Sequence, residues 1–159
     1  MPNFGSKGYN DPNSLNFITT MLHNEIRIPR KLANQLLHQA QLSPETEICG
    51  FIGSKNATPV SCYPVNNIAE LPEQRFLFDP EQQIAAMKIM REAKEDLFAI
   101  YHSHPKAPAL PSHLDLALAA YPEAYYLIIS LNTKGVLEMR AFKIQQQTAC
   151  EVAILVFEA

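Results

Sequence analysis

The sequence predicts an α/β fold in which helices flank a mixed central β-sheet. Three observations carry that expectation. Apolar segments of helical and of strand period interleave along the chain, as they do in layered α/β domains. Turn residues such as Ser43-Pro44, Gly53 and Gly135 punctuate those segments. The length, 159 residues with 47% hydrophobic and 18% charged, suits one globular domain rather than two.

Residues 1–22 read as a polar, flexible N-terminal arm rich in Asn, Gly and Ser, and residues 23–159 as the folded domain. A short extended stretch over Glu25–Ile28 leads into a helix over Pro29–Leu42, where Leu32, Leu36, Leu37 and Ala40 share a face. Ser43-Pro44 ends it. Ile48–Ile52, closed by Gly53, and the β-branched run Thr58–Val65, broken by Pro64, read as strands. Asp79-Pro80 opens a second helix with a cap residue and a proline at the first helical position, and Gln82 stands three after Asp79 as in a capping box. Ile84, Met87 and Met90 form its expected core-facing stripe. Leu97–Tyr101 predicts a strand, Ser112–Ala120 a short helix stopped by Pro122, and Tyr125–Leu131 a further strand. Gly135 marks a turn into a strand over Val136–Ile144, and Glu151–Phe157 is the last strand.

A chain of this length buries roughly 70% of its unfolded surface and needs neither disulfide nor structural metal in order to fold. A metal must therefore be justified by chemistry. Lys and Arg number 13 against 16 Asp and Glu, a formal charge of −3 with no basic run, which argues against a nucleic-acid groove. Cys49, Cys62 and Cys150 are widely spaced and form no Cys-x-x-Cys pair, as expected of free thiols in a reducing cytosol. The first twenty residues lack the apolar core of a signal peptide, and the longest apolar stretch, Ala124–Ile129, is too short to span a bilayer. A soluble, cytoplasmic protein without a membrane partner is expected.

Three of the five histidines, His102, His104 and His113, fall within twelve residues. His102 and His104 lie at the C-terminal end of a predicted strand, where residues two apart point to one face. Pro105 biases His104 toward extended backbone and so keeps the two rings in register. Pro105 to Pro111 holds three prolines and no glycine, a stiff loop that ends at Ser112. Ser112 is a natural N-cap, and Asp115 falls in the first helical turn, where the helix dipole favours a carboxylate. If the loop returns this turn to the strand end, two imidazoles and one carboxylate meet. That set suits a catalytic zinc with its fourth position open for water. Ser-x-x-Asp alone is a common capping pattern, and His-x-His alone arises by chance; the joint pattern is far more restrictive. Capping and catalysis are also compatible, because a hydroxyl both accepts and donates.

The pattern His-x-His, seven residues, Ser-x-x-Asp resembles the JAMM, or MPN-plus, zinc metalloproteases, and His102, His104, Ser112 and Asp115 match it without a gap. That family carries an upstream glutamate two residues before a Cys-Gly or similar pair, and Glu47-Ile48-Cys49-Gly50 fits; Glu45 is one step further from the strand and off register. The segment from Arg75-Phe76 to Asp79-Pro80 and the strand Tyr126–Leu131 are also similar to small bacterial members, so the likeness spans roughly Ile26–Ile144. The resemblance implies an MPN/JAB-like, cytidine-deaminase-like three-layer sandwich. It implies Zn²⁺ held by His102, His104 and Asp115, with Glu47 as general base and Ser112 as oxyanion donor. Formal charge closes at zero for two neutral imidazoles, two carboxylates and Zn²⁺. His113 has no place in that set and is expected on the rim. An inward-facing Cys49 is expected to pack.

Only 44 residues follow Asp115, which leaves little room for the insertions with which ubiquitin-chain enzymes grip ubiquitin. The small bacterial members imply a substrate of another kind: the Gly-Gly-type C-terminal tail of a ubiquitin-like or sulfur-carrier protein, bound as an added strand. Three rivals are weighed against this. A metal-free scaffold of the same fold has no need of Glu47, His102, His104, Ser112 and Asp115. A DNA-repair-associated relative typically follows its second histidine with Pro-Ser-Gly, where this chain has Pro105-Lys106-Ala107. A zinc deaminase would carry His-x-Glu and Pro-Cys-x-x-Cys, and both are missing.

Overall fold

The computed structural model describes residues 25–133 and 136–159. The N-terminal arm expected over 1–22 and the turn expected at Gly135 lie outside the described residues. Ten elements follow in order: β1 (Glu25–Pro29), α1 (Arg30–Gln41), β2 (Cys49–Lys55), β3 (Thr58–Val65), α2 (Pro80–Glu92), β4 (Asp96–His104), α3 (His113–Leu118), β5 (Tyr125–Ser130), β6 (Glu138–Gln145) and β7 (Thr148–Phe157). The seven strands form one mixed sheet in the order β1-β7-β6-β5-β4-β2-β3. β1 runs parallel to β7 and β4 parallel to β5; the other pairs are antiparallel.

Strand alternation divides the sheet into two apolar faces. On one face Ile52, Ala99, Tyr101, Leu127 and Ile129 pack with Leu32, Ala33, Leu36 and Ala40 of α1. The helix lies in the curl of the sheet, where the outer strands β1 and β3 approach one another. On the other face Phe51, Ile100, Tyr126, Ile128 and Phe142 pack with Ala86 and Met90 of α2. The result is a three-layer α/β/α sandwich: the interleaved periods predict the α/β layering, and the family resemblance implies the three layers.

Several elements differ from expectation for identifiable reasons. Gly53 does not close β2, which continues to Lys55; the glycine sits at a β-bulge where both neighbouring registers shift. Pro64 does not break β3, because β3 is an edge strand of the ladder and its outer side owes no N–H. In α2 the buried pair is Ala86 and Met90, with Met87 half-buried, while Ile84 is 70% exposed. The inward stripe runs Gln83, Ala86, Met87, Met90, in which Gln83 bonds the Tyr121 hydroxyl at 3.0 Å, so Ile84 falls beside it. Asp79 caps the helix by accepting from Glu81 and Gln82 N–H groups, but Gln82 Oε1 completes no box: it accepts from Asn66 N–H at 2.7 Å instead. α3 is shorter than expected, ending at Leu118, and β4 is longer, carrying both His102 and His104 inside the ladder.

The β2–β3 hairpin and Gly50 make local backbone demands. Asn56 and Ala57, at the β2–β3 hairpin, both have positive φ, 50° and 64°, as a type I′ turn requires. Alanine is strained there. A Cβ added to Gly50 would lie 2.5 Å from both the Tyr101 hydroxyl and the Tyr63 carbonyl, so β2 admits no side chain at this point. Ala57→Gly is therefore expected to raise stability by about 0.5–1 kcal/mol. Gly50→Ala is expected to lower it by about 1–3 kcal/mol. Thermal melts of both variants against the parent check the two signs.

Candidate metal centre

β4 is an interior strand, hydrogen-bonded to β2 on one side and to β5 on the other. Its ladder pairs His102 with Cys49 and with Ile128, so the backbone that carries the histidines is held from both edges. His102 and His104 share the face of Ile100, and their Nε2 atoms stand 3.1 Å apart. Both rings are buried. His104 Nδ1 lies 2.7 Å from the Pro108 carbonyl, an acceptor that holds a proton on Nδ1 and turns Nε2 inward. Phe76 stacks on the His102 ring with centroids 4.6 Å apart and planes 29° apart.

The proline-rich loop is tied down as it returns. Ser130 hydroxyl donates to the Ala107 carbonyl at 2.7 Å, and Leu131 N–H donates to the His104 carbonyl at 3.0 Å. The loop delivers Ser112 as N-cap of α3 with a reciprocal capping box: Asp115 N–H donates to Ser112 Oγ at 3.0 Å, and Ser112 N–H donates to Asp115 Oδ2 at 2.9 Å. The same Oδ2 lies 3.1 Å from His102 Nε2 and 3.2 Å from His104 Nε2. Three potential ligand atoms thus form a nearly equilateral triangle. Two ligands at 2.0–2.1 Å from a tetrahedral ion would be about 3.3 Å apart. The triangle fits that spacing.

Glu47 precedes β2, and continuing the β2–β4 register by two places sets it opposite His104. Its carboxylate is buried and approaches His102 and His104 with ligand atoms within 4.8 Å of one another. Two ligand sets therefore overlap, His-His-Asp and His-His-Glu. Their electrostatics differ. Burial opposes ionisation of Asp115, but the bonds from His102 and His104 outweigh it and hold the carboxyl well below the usual range. Burial pushes Glu47 up to about 7, with His104 lowering and Asp115 raising it. Burial likewise depresses His102, whereas His104 is raised, since Asp115 and the Pro108 carbonyl outweigh its burial. Among the described residues, Glu47 Oε1 and His102 Nδ1 are buried without a hydrogen-bond partner.

Every residue anticipated for the site arrives at one place: Glu47, His102 and His104 buried, Asp115 against both rings, and Ser112 exposed at the rim through the cap. Glu45 and His113 are exposed. Cys49 is buried, its thiol donates to the Val65 carbonyl at 3.3 Å, and burial pushes it up to about 12, so it packs as a neutral thiol. The stacked Phe76 and the Pro108 acceptor were not foreseen, since neither an aromatic stack nor a backbone carbonyl leaves a motif. The centre lies between two depressions, one of about 640 Å³ that includes Glu47, Val65 and Asn67, and one of about 250 Å³ that includes His102, Asp115, Phe76 and Tyr121. A cavity of about 660 Å³ near Ser54, Asp96 and Phe98 lies at the opposite end of β4 and has none of these groups.

Comparison with known proteins agrees with the geometry. A desampylase of Haloferax volcanii is 35% identical over 89 residues, covering 55% of this chain and 64% of that protein, so the match spans just under two thirds of the relative. A CysO-cysteine peptidase of Mycobacterium tuberculosis is 29% identical over 129 residues, covering 80% of this chain and 88% of that protein. A solved structure from Desulfitobacterium hafniense superposes with a TM-score of 0.74 at 33% identity, covering 84% of this chain and 94% of that one. The model for prokaryotic homologs of the JAB domain matches residues 29–145. That span contains the strand pair, the loop and the helix turn that build the centre, and the chain belongs to the family of prokaryotic JAB-domain homologues.

Proposed function

We propose that this chain is a zinc-dependent metallopeptidase that hydrolyses a peptide or isopeptide bond at the C-terminal tail of a ubiquitin-like or sulfur-carrier protein. The observation that carries the reading is the triangle of His102 Nε2, His104 Nε2 and Asp115 Oδ2, with sides of 3.1, 3.1 and 3.2 Å, beside the unpartnered carboxylate oxygen of Glu47. Asp115 stays ionised and touches both rings, which suits a ligand. Glu47 is buried beside both rings with a free oxygen, which suits a base. Zinc held by His102, His104 and Asp115 would supply a water acidified to about pKa 7 and a polarised scissile carbonyl.

The chain's own groups handle the proton and the developing charge. Glu47 takes the proton of the attacking water and returns it to the leaving amine. Ser112 accepts from Asp115 N–H through its oxygen, and its hydroxyl hydrogen is the group we assign to the substrate carbonyl oxygen as that oxygen gains charge. The depressions on either side of the centre support an extended segment rather than a compact ligand. The CysO-cysteine peptidase among the relatives supports amide hydrolysis. We further propose that residues 23–159 act as one catalytic domain in the cytoplasm. Cys49, Cys62 and Cys150 are free thiols, buried, half-buried and exposed in turn. Among the described residues no helix is long and apolar enough to cross a membrane.

Two substitutions separate the roles. Asp115→Asn is expected to lose zinc, measured by elemental analysis. Glu47→Gln is expected to keep one equivalent of zinc and lose about 10²–10⁴-fold in cleavage of a carrier-protein tail followed by mass spectrometry. Full activity in Glu47→Gln would remove Glu47 as the base. A purified parent protein with no bound zinc under chelator-free conditions would favour a non-catalytic scaffold. In the metal-stripped protein Glu47 also sets a pH dependence of stability. Its folded pKa, about 7, lies above its ordinary 4.5, so the folded state keeps the proton longer and loses stability as pH rises through that interval. At about 1.4 kcal/mol per pH unit, stripped Glu47→Gln is expected to exceed stripped parent by up to about 3 kcal/mol at pH 8. Denaturant melts should find the gap closed by pH 4.

A further inference from the structure

We propose that Asn67 is a positioning residue for the reaction, one carboxamide that holds Glu47 and Phe76 together; the inference rests on Glu47 acting as the base. Glu47 stands ahead of β2, and β4 bonds only to its neighbour: Ile48 N–H donates to Ser103 Oγ at 2.9 Å, and Ser103 N–H donates to the Ile48 carbonyl at 3.1 Å. The backbone groups of Glu47 itself are held from elsewhere: its N–H donates to the Pro72 carbonyl at 2.8 Å, and its carbonyl accepts from Asn67 Nδ2 at 3.1 Å. Pro72 and Asn67 belong to the same loop, between β3 and α2. Both of these bonds to the Glu47 backbone therefore come from a segment with no regular secondary structure of its own beyond a single bridge from Asn67 to Phe78.

That loop is in turn built on Asn67. Its Nδ2 also donates to the Arg75 carbonyl at 3.0 Å, and its Oδ1 accepts from the N–H groups of Ala69 and Leu77, each at 3.0 Å. Two donated and two accepted bonds use the full capacity of a carboxamide. The clamped groups, Arg75 carbonyl and Leu77 N–H, flank Phe76, whose ring lies against His102. A single side chain thus sets the backbone of the base and the ring that backs a candidate ligand. Aspartate lacks the two donors and would turn a carboxylate toward the Glu47 and Arg75 carbonyls, and alanine offers nothing.

Asn67→Ala and Asn67→Asp, each in the parent and in the Glu47→Gln background, test the proposal on the full chain loaded with zinc. In the parent background kcat is expected to fall about 10–100-fold, the scale of a misplacement of about 1 Å, with KM within two-fold. In the Glu47→Gln background the same change is expected to cost less than two-fold, because its effect passes through Glu47. Hydrogen exchange supplies a readout independent of activity: protection is expected to fall over both 67–77 and 46–49 and to be kept over 80–92, with one equivalent of zinc retained. Asn67→Asp keeps the two bonds to Ala69 and Leu77 and carries the same expectation if the alanine variant fails to fold. Parent-level kcat, an equal loss in both backgrounds, or unchanged exchange over 46–49 would each overturn the proposal. Full activity of Glu47→Gln alone would instead overturn the role of the base and leave the exchange coupling between the two segments standing.

Discussion

The site depends on one constraint: β4 must stay a paired, extended strand as far as His104. Only in that conformation do two residues separated by one other present their rings on the same side. The ladder enforces it from both edges, with Cys49 opposite His102 on one side and Ile128 and Ser130 opposite His102 and His104 on the other. Ser103, pointing away between them, ties the Ile48 N–H. The same register that aligns the rings brings Glu47 to His104 from a point 57 residues earlier. What the sheet does for the histidines, the proline-rich loop does for Asp115, since its anchors at Ala107 and Pro108 leave the α3 terminus one place to arrive.

How much of this could be read from the chain follows from where the information lies. His102, His104, Ser112 and Asp115 sit in one short window, and their chemistry needs no knowledge of the rest of the fold. Glu47 is a different case: it is brought in by an antiparallel pairing that no local pattern encodes, and it came from resemblance to a family. Asn67 and Phe76 could not be read at all, since their work is done on backbone carbonyls and on a ring face. In the scaffold, interleaved periods were enough for the layers. They were not enough to phase α2, where the Gln83 contact with Tyr121 rotates Ile84 to the surface, or to tell the bulge at Gly53 from a strand end.

Polar burial is treated differently at the site and away from it. On the α1 face the Tyr101 hydroxyl donates to Gln39 at 2.8 Å and accepts from the Cys62 thiol at 3.3 Å. Near the bulge Glu95 accepts from Ser61 at 2.7 Å and from Tyr63 at 2.6 Å. These networks close on themselves and serve stability. At the centre, by contrast, a carboxylate oxygen and an imidazole nitrogen are buried without partners. Local conflict of this kind persists where a site needs a group free to react and the surrounding fold offsets the cost.

The capping oxygen of Asp115 has a consequence for how the chain assembles. α3 has six residues, none of them fully buried, and its packing on the core rests on the half-buried Leu116. Its start is secured by Oδ2, and that atom is also the one turned to the histidines. Were the proposed zinc bound by that oxygen, ordering of the helix and capture of the ion would be two sides of a single equilibrium. By reciprocity, whatever steadied α3, including a substrate lying across it, would tighten the grip on the ion, and the ion would in turn order the rim on which a substrate would rest.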